Sequence, residues 1–132
     1  MTSDPKEAEN GTRRRVLIVD DNAQVRQELR VLLPLAGNVE IVGEAADGAE
    51  AIELVRAVRP DAVLLDLEMP VLNGYAAVRS IKVWCPACRV IALTVHGYEA
   101  ARQKAMQAGV DLFLVKGVPV ETVVQAIFER SE

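Results

Sequence analysis

The feature that most constrains the fold is a repeated alternation between short apolar runs and amphipathic segments. The apolar runs are Val16–Val19, Val39–Ala45, Ala62–Leu65, Val90–Leu93 and Leu112–Val115. Most lack polar alternation and are rich in Leu and β-branched residues, which is typical of strands covered on both faces. In the segments that follow each run, apolar residues recur every three or four positions, which indicates helices.

Repeated strand and helix units predict an α/β protein with a five-stranded doubly wound parallel sheet, helices on both faces and the flavodoxin-like strand order 2-1-3-4-5. Asp47 is expected to cap the second helix, Asn73-Gly74 to open the third and Gly109 to end the fourth. The fourth helix, predicted from Tyr98 to Ala108, presents only a thin apolar stripe of Ala101, Ala105 and Ala108. We therefore expect it to be displaced easily.

Length and composition limit the number of domains and the classes of protein to which the chain can belong. A chain of 132 residues with 51% hydrophobic and only 4% aromatic residues predicts one domain with an aliphatic core. Residues 1–14 are polar and aperiodic, so we predict a flexible tail there and the folded domain over 15–132. The net charge of −4 argues against direct binding of nucleic acid. No apolar stretch approaches the roughly 18 residues of a membrane span, and no signal peptide is evident, so a cytoplasmic location is expected.

Polar residues follow four of the five apolar runs. Asp20-Asp21 follow the first, Asp66 the third, Thr94 the fourth and Lys116 the fifth. Since the carboxyl ends of parallel strands share one edge, and strands one and three are neighbours in this order, we expect the three carboxylates to meet there.

Three carboxylates within about 4 to 6 Å repel one another, so a divalent cation is implied. Oxygen ligands of this hardness suit Mg²⁺, or Mn²⁺ in its place. A carboxylate nucleophile, a metal ion, a lysine and a hydroxyl donor together are what phosphoryl transfer requires.

At this point the sequence resembles the receiver domain of bacterial response regulators, the phosphoacceptor module of two-component signalling. The resemblance covers residues 15–130 and depends on the segments VLIVDDN (16–22), DLEMPVLNG (66–74), ALT (92–94) and FLVK (113–116). TVH (94–96) and VKG (115–117) are most similar to receivers of LuxR-type transcription factors. Gly117 departs from the family, because many members have proline after the lysine.

The resemblance implies a role for each residue of the site. Asp66 accepts a phosphoryl group from the phosphohistidine of a sensor histidine kinase or from a small phosphodonor. Asp21 binds the metal directly, Asp20 binds it through water, and Glu68 binds it through its main-chain carbonyl.

The resemblance also implies how the phosphoryl group is sensed. Lys116 pairs with a phosphoryl oxygen, Thr94 moves to hydrogen-bond the group, and Phe113 is the aromatic switch residue that turns inward behind Thr94. We further interpret Glu68 and His96 as flanking the path of the attacking water and setting the lifetime of the phosphorylated state.

The expected readout is a shift of the surface formed by the fourth helix, fifth strand and fifth helix. The resemblance implies a regulatory module with limited autophosphorylation and autodephosphorylation rather than a separate enzymatic activity. It is expected to be either a stand-alone regulator or the receiver of a longer protein with a C-terminal DNA-binding output domain. Homodimerisation on phosphorylation is a further expectation.

Two other classes of function compete with this interpretation. One is a receiver-like scaffold that binds partners without phosphorylation, which the complete set of site residues disfavours. The other is a thiol oxidoreductase, suggested by WCPAC (84–88), which contains both cysteines of the chain. Redox CxxC motifs begin a helix that follows a strand, whereas Trp84-Cys85-Pro86 is predicted to form a loop between the third helix and the fourth strand. We expect these thiols to titrate normally, near pH 8.5.

Overall fold

A computed structural model describes residues 12–69 and 73–129 of the chain, with five strands and five helices. The strands are β1 (Arg14–Val19), β2 (Val39–Ala45), β3 (Ala62–Leu65), β4 (Arg89–Thr94) and β5 (Leu112–Val115). The helices are α1 (Ala23–Ala36), α2 (Gly48–Val58), α3 (Gly74–Trp84), α4 (Glu99–Ala108) and α5 (Val120–Phe128).

The sheet has the predicted architecture. Its five strands are all parallel and lie in the order β2-β1-β3-β4-β5. Two strands extend beyond the predicted apolar runs, because backbone pairing does not stop where hydrophobicity stops. Arg14 already pairs with Val39, so β1 takes in the last residue of the predicted tail. Residues 1–11 of that tail lie outside the described residues, and its predicted flexibility is untested.

The two faces of the sheet bury separate aliphatic clusters. In β1, Leu17 and Val19 point to the face covered by α2, α3 and α4, whereas Val16 and Ile18 point to the face covered by α1 and α5. Because a strand alternates its side chains between faces, one continuous apolar run serves both clusters. The predicted aliphatic core and the double layer of helices are confirmed.

The predicted helix boundaries are largely confirmed. The Asp47 side chain accepts a hydrogen bond from the Glu50 amide, and Asn73 accepts one from Ala76 in the same way. Gly109 ends α4 in the left-handed conformation, with φ of 115°. The predicted start of α4 is one residue early, because Tyr98 is the N-cap.

The thin attachment of α4 is also borne out in part. Ala105 and Ala108 are buried, but Ala101 is only half-buried. Two small side chains therefore make up most of the apolar face with which this helix meets the sheet. In residues 12–69 and 73–129, no helix is long and apolar enough to cross a bilayer.

Gly74 fixes how closely α3 approaches the segment after β3. Its amide donates to the Leu67 carbonyl at 3.1 Å. A Cβ atom at this position would lie 2.4 Å from the Leu67 Cα atom and 2.7 Å from its carbonyl oxygen. Glycine is therefore required by a backbone contact one residue after Asp66, and this contact sets the position of the site relative to α3.

Replacing Gly74 with alanine tests this contact, because helix propensity and packing predict opposite signs. Propensity alone would stabilise the protein by roughly 0.5–1 kcal/mol. The clash with Leu67 should instead destabilise it by about 1–3 kcal/mol in urea unfolding. Arg79→Ala, an exposed change on the same helix, is the control and should alter stability by less than about 0.5 kcal/mol. A more stable Gly74→Ala protein would contradict the packing argument.

Candidate functional site

Three acidic side chains converge at the carboxyl ends of β1 and β3. The two strands are hydrogen-bonded neighbours, with Val19 opposite Leu65, so the residues that follow them are also adjacent. Ligand oxygens of Asp20, Asp21 and Asp66 all lie within 4.8 Å of one another. Asp20 and Asp66 are buried, whereas Asp21 is exposed. The convergence predicted from the strand order is confirmed.

Local backbone turns hold the two buried carboxylates in place. Oδ1 of Asp20 accepts a hydrogen bond from the Asn22 amide at 2.9 Å, and Oδ1 of Asp66 accepts one from the Glu68 amide at 2.9 Å. Such bonds two residues along the chain are the turn chemistry that short acidic side chains favour. Each carboxylate keeps its second oxygen for other partners.

Asn22 and Arg26 are positioning residues that were not identified from the sequence. The Asn22 side chain accepts hydrogen bonds from the first amides of α1, so the helix begins directly after the acidic pair. Arg26 donates to the main-chain carbonyl of Asp20 and pairs with Glu44. The N-cap preference of asparagine was a usable signal for the first residue. The Arg26 contact had no local signal, since it depends on the return of the chain through β2.

Lys116 contacts the acidic cluster and neutralises part of its negative charge. Its Nζ atom lies 2.8 Å from Oδ2 of Asp20 and 3.2 Å from Oδ2 of Asp66. The residue follows β5, and its amide donates to the Thr94 carbonyl at 2.7 Å, which ties the loop to the end of β4. Gly117 then adopts φ of 105°, a left-handed conformation that favours glycine.

The electrostatics of the pair follow from burial and proximity. Burial raises the pKa of the Asp66 carboxyl above its ordinary value; the Glu68 amide and Lys116 oppose this shift, and the charge of Asp20 adds to it. For Lys116, burial alone would lower the pKa, but the hydrogen bond that its ammonium group donates to Asp20 and the negative charges of Asp66 and Asp20 outweigh burial, so the pKa is raised. Lys116 is therefore held as a cation, whereas burial opposes the ionisation of Asp66.

The donor set fits a divalent cation. Three carboxylates and one ammonium group have a formal charge of −3 + 1 = −2. A hard divalent ion would cancel that charge, and carboxylate oxygens are the ligands such ions prefer. Asp20, Asp21 and Asp66 are the residues that would hold it.

A second group of polar side chains lies at the end of β4. The buried Thr94 donates its hydroxyl hydrogen to Oε1 of Glu68 at 3.1 Å. Nδ1 of His96 lies 2.6 Å from Oε2 of the same carboxylate. The His96 ring stacks on Tyr98, with ring centroids 5.4 Å apart. The sequence singled out Glu68, Thr94 and His96, but it did not predict that the Glu68 carboxylate contacts both Thr94 and His96.

Phe113, the predicted switch aromatic, lies on β5 opposite Ala92 of β4. Its ring is half-buried and packs against the cluster on the α2, α3 and α4 face. The position is compatible with a ring that could turn further inward, and the switching role stays a prediction. Pro70, Val71 and Leu72, which belong to the DLEMPVLNG motif, lie outside the described residues.

The cysteine pair lies at the opposite edge of the sheet. Trp84 is the last residue of α3 and Cys85 is its C-cap, so the predicted loop begins one residue later than expected. Both thiols are buried, and Sγ of Cys88 donates to the Pro60 carbonyl at 3.1 Å. Burial raises the pKa of the Cys88 thiol well above normal, so the expected normal titration is wrong for this residue. A buried, protonated thiol is unreactive, which agrees with the rejection of a redox site.

Comparison with known proteins identifies the same segment. A family model described as the response regulator receiver domain matches residues 16–128. The chemotaxis protein CheY of Thermotoga maritima is 38% identical over 119 residues, which cover 90% of this chain and 98% of that protein. The nitrate/nitrite response regulator NarL of Escherichia coli is 30% identical over 116 residues, which cover 88% of this chain and 54% of that protein. The chain thus spans nearly all of one relative and about half of the other.

Solved structures give the same result. A two-component response regulator of the LuxR family from Aurantimonas aligns with a TM-score of 0.82 and 36% identity, covering 88% of this chain and 83% of that one. CheY from a CheX-CheY-BeF₃-Mg²⁺ complex of Borrelia burgdorferi aligns with a TM-score of 0.80 and 28% identity, covering 91% and 90% of the two chains. The sheet order and helix placement described above are therefore shared with these proteins.

Replacing Lys116 with methionine tests how the acidic cluster is neutralised. Without a divalent ion, Asp20 and Asp66 would keep their buried charges but lose their cation, and the protein should be destabilised by about 1–3 kcal/mol. Adding Mg²⁺ should reduce this difference, because the ion supplies the missing positive charge. Arg102→Met, which removes an exposed cation on α4, is the control in thermal unfolding. A Lys116→Met protein as stable as the wild type without Mg²⁺ would show that the lysine does not compensate the cluster.

Proposed function

Because this chain belongs to the response regulator receiver domains of two-component signalling, we propose that it is a phosphoacceptor switch in which Asp66 is the phosphorylated residue. The observation that carries the proposal is the position of Asp66: buried, paired with Lys116 and within 4.8 Å of Asp20 and Asp21. The carboxylate is thus surrounded by the groups that an incoming phosphoryl group needs.

In the proposed reaction, a carboxylate oxygen of Asp66 attacks the phosphorus atom of a phosphohistidine on a sensor histidine kinase. The new oxygen–phosphorus bond forms as the nitrogen–phosphorus bond breaks, and the leaving imidazole takes up a proton. A small acyl phosphate can act in the same way, with release of its carboxylate. Lys116 holds a phosphoryl oxygen through its ammonium group, which already lies 3.2 Å from Asp66.

Mg²⁺, or Mn²⁺, is the cation we propose for the acidic cluster, where it would neutralise charge that develops on the transferred group. Asp21 would bind it directly, Asp20 through water and Glu68 through its main-chain carbonyl. The Glu68 amide donates to Asp66, so the backbone of this residue is already fixed beside the nucleophile. The relative from Borrelia burgdorferi was solved with Mg²⁺ and BeF₃, which supports this choice of metal.

The proposed output is a change of surface. Phosphorylation adds close to two negative charges and new acceptor oxygens, which favours the conformer in which Thr94 reaches the group. Phe113 would turn inward as Thr94 moves, and the surface of α4, β5 and α5 would change. The exposed side chains of Val95, Tyr98, Met106 and Val115 lie in or beside this region.

We propose three consequences for partners. A sensor histidine kinase donates the phosphoryl group to this protein in the cytoplasm. The likeness to a DNA-binding response regulator of the LuxR family suggests a DNA-binding output domain as the recipient of the signal. The altered surface would also support a homodimer. Receiver domains are regulatory modules, so the only chemistry proposed for this one is its own phosphorylation and dephosphorylation.

Phosphorylation by acetyl phosphate with Mg²⁺ tests the proposal. The wild-type protein should gain one phosphoryl group by intact mass, and Asp66→Asn should gain none because the nucleophile is missing. Asp47→Asn is a matched control, since Asp47 follows β2 at the same edge of the sheet and asparagine is an equally good N-cap. It should be phosphorylated like the wild type. Modification that persists in Asp66→Asn, or that fails in the wild type, would refute the assignment.

The lifetime of the phosphorylated state tests the roles of Glu68 and His96. If these half-exposed side chains flank the path of the attacking water, truncating either to alanine should open that path and change the half-life of Asp66-phosphate, with an expected shortening of about 2- to 10-fold. The decay can be followed by intact mass after removal of the phosphodonor. Glu53→Ala, an exposed change on α2, should leave the half-life unaltered. Equal half-lives in all four proteins would exclude the hypothesis.

A further inference from the structure

The Glu68 carboxylate joins two side chains that come from the next strand and its loop. Oε1 accepts the Thr94 hydroxyl at 3.1 Å, and Oε2 lies 2.6 Å from Nδ1 of His96. Thr94 is buried with 2% exposure, while the side chains of Glu68 and His96 are 48% and 47% exposed. A half-exposed glutamate thus reaches inward to hold a buried hydroxyl.

This contact competes with the movement required of Thr94. A threonine hydroxyl has one hydrogen to donate. In the proposed function that hydrogen must go to a phosphoryl oxygen on Asp66, whereas in the structure it goes to Glu68. The hydroxyl cannot donate to both at once, so forming one hydrogen bond requires breaking the other.

We propose that Glu68 is a positioning residue that holds the Thr94 hydroxyl in the inactive conformer, and that His96 keeps the Glu68 side chain in place for this task. The inference rests on the proposed function, since it concerns the regulation of the same site. It differs from control of the attacking water, because it acts before any phosphoryl group is bound.

His96 is needed because a single hydrogen bond does not hold a surface glutamate. Fixing a glutamate side chain costs conformational entropy, which offsets much of what one hydrogen bond to its carboxylate contributes. The contact of the other carboxylate oxygen with His96 gives the Glu68 side chain a second anchor. The stacking of His96 on Tyr98 in turn restrains the imidazole ring. The backbone of Glu68 is also anchored by its hydrogen bond to Asp66.

A double-mutant cycle with Glu68→Met and Thr94→Val separates this role from others. The probe is beryllofluoride with saturating Mg²⁺, which mimics a phosphoryl group on the aspartate. Removing the competing acceptor should make Glu68→Met bind beryllofluoride about fivefold more tightly than the wild type. In the Thr94→Val background, which lacks the hydroxyl, the same change should have no effect. The methyl resonance of Thr94 in the unligated Glu68→Met protein should also move toward its beryllofluoride-bound position.

Glu68→Gln is the conservative rescue. Its amide oxygen can accept from Thr94 and its amide nitrogen can donate to a neutral His96, so both contacts survive without the negative charge. It should therefore keep the Thr94 resonance and the beryllofluoride affinity close to the wild type. If it behaves like Glu68→Met, the charge of Glu68 matters rather than its hydrogen bonds, and the proposal is overturned.

Two further outcomes would also overturn it. One is a Glu68→Met protein that binds beryllofluoride no more tightly than the wild type, and the other is an equal gain in the Thr94→Val background. Glu68→Ala removes the same acceptor and carries the same expectations if Glu68→Met does not fold. Failure of the underlying function has a different signature, because the wild type itself would then bind no beryllofluoride and accept no phosphoryl group at Asp66.

Discussion

The repulsion between carboxylates at the end of β1 and β3 is the constraint on which the rest of the site depends. Two of the three acids are buried, and the lysine that contacts them supplies one positive charge. An uncompensated charge of this kind opposes folding, so the neighbouring structure must hold the acids together and leave room for a cation. The backbone amides of Asn22 and Glu68 meet the first requirement, because each fixes one carboxylate oxygen.

The parallel sheet both creates this concentration of charge and stabilises the protein against it. All five strands end at the same edge, so acids, hydroxyl and lysine converge there from separate segments. The aliphatic clusters on the two faces of the sheet provide the stability that the charged edge lacks. The opposite edge has buried thiols, and Lys82 there donates to the Cys88 carbonyl and pairs with Asp111. The candidate site therefore lies at the carboxyl ends of the strands, and the buried thiols and the Lys82–Asp111 ion pair lie at their amino ends.

The features of the structure that could be predicted from the sequence are those that depend on local residue patterns or on the strand order. Apolar runs located the strands, side-chain caps such as Asp47 located helix starts, and the strand order then brought Asp20 and Asp66 together. The sequence did not predict that β1 begins at Arg14, because strand pairing is a property of two segments. Nor did it predict the raised pKa of the Cys88 thiol, which depends on how deeply that side chain is buried. The contact between Glu68 and Thr94 joins residues 26 positions apart through particular rotamers, and no local signal encodes it.

The exchange of hydrogen bonds at Thr94 can contribute only a limited free energy to the proposed conformational change, and its size can be estimated. A ligand shifts a conformational equilibrium only by its difference in affinity for the two states. In the proposed mechanism, Thr94 exchanges a hydrogen bond to one anionic acceptor, Glu68, for a hydrogen bond to another, the phosphoryl group. Bonds to charged groups are worth about 1.5–3 kcal/mol each, so the exchange at Thr94 alone nearly cancels. In the proposed mechanism, the rest of the shift would come from the contact of Lys116 with the phosphoryl group and from burial of Phe113. The thin apolar attachment of α4 would allow a small difference in free energy to move the surface.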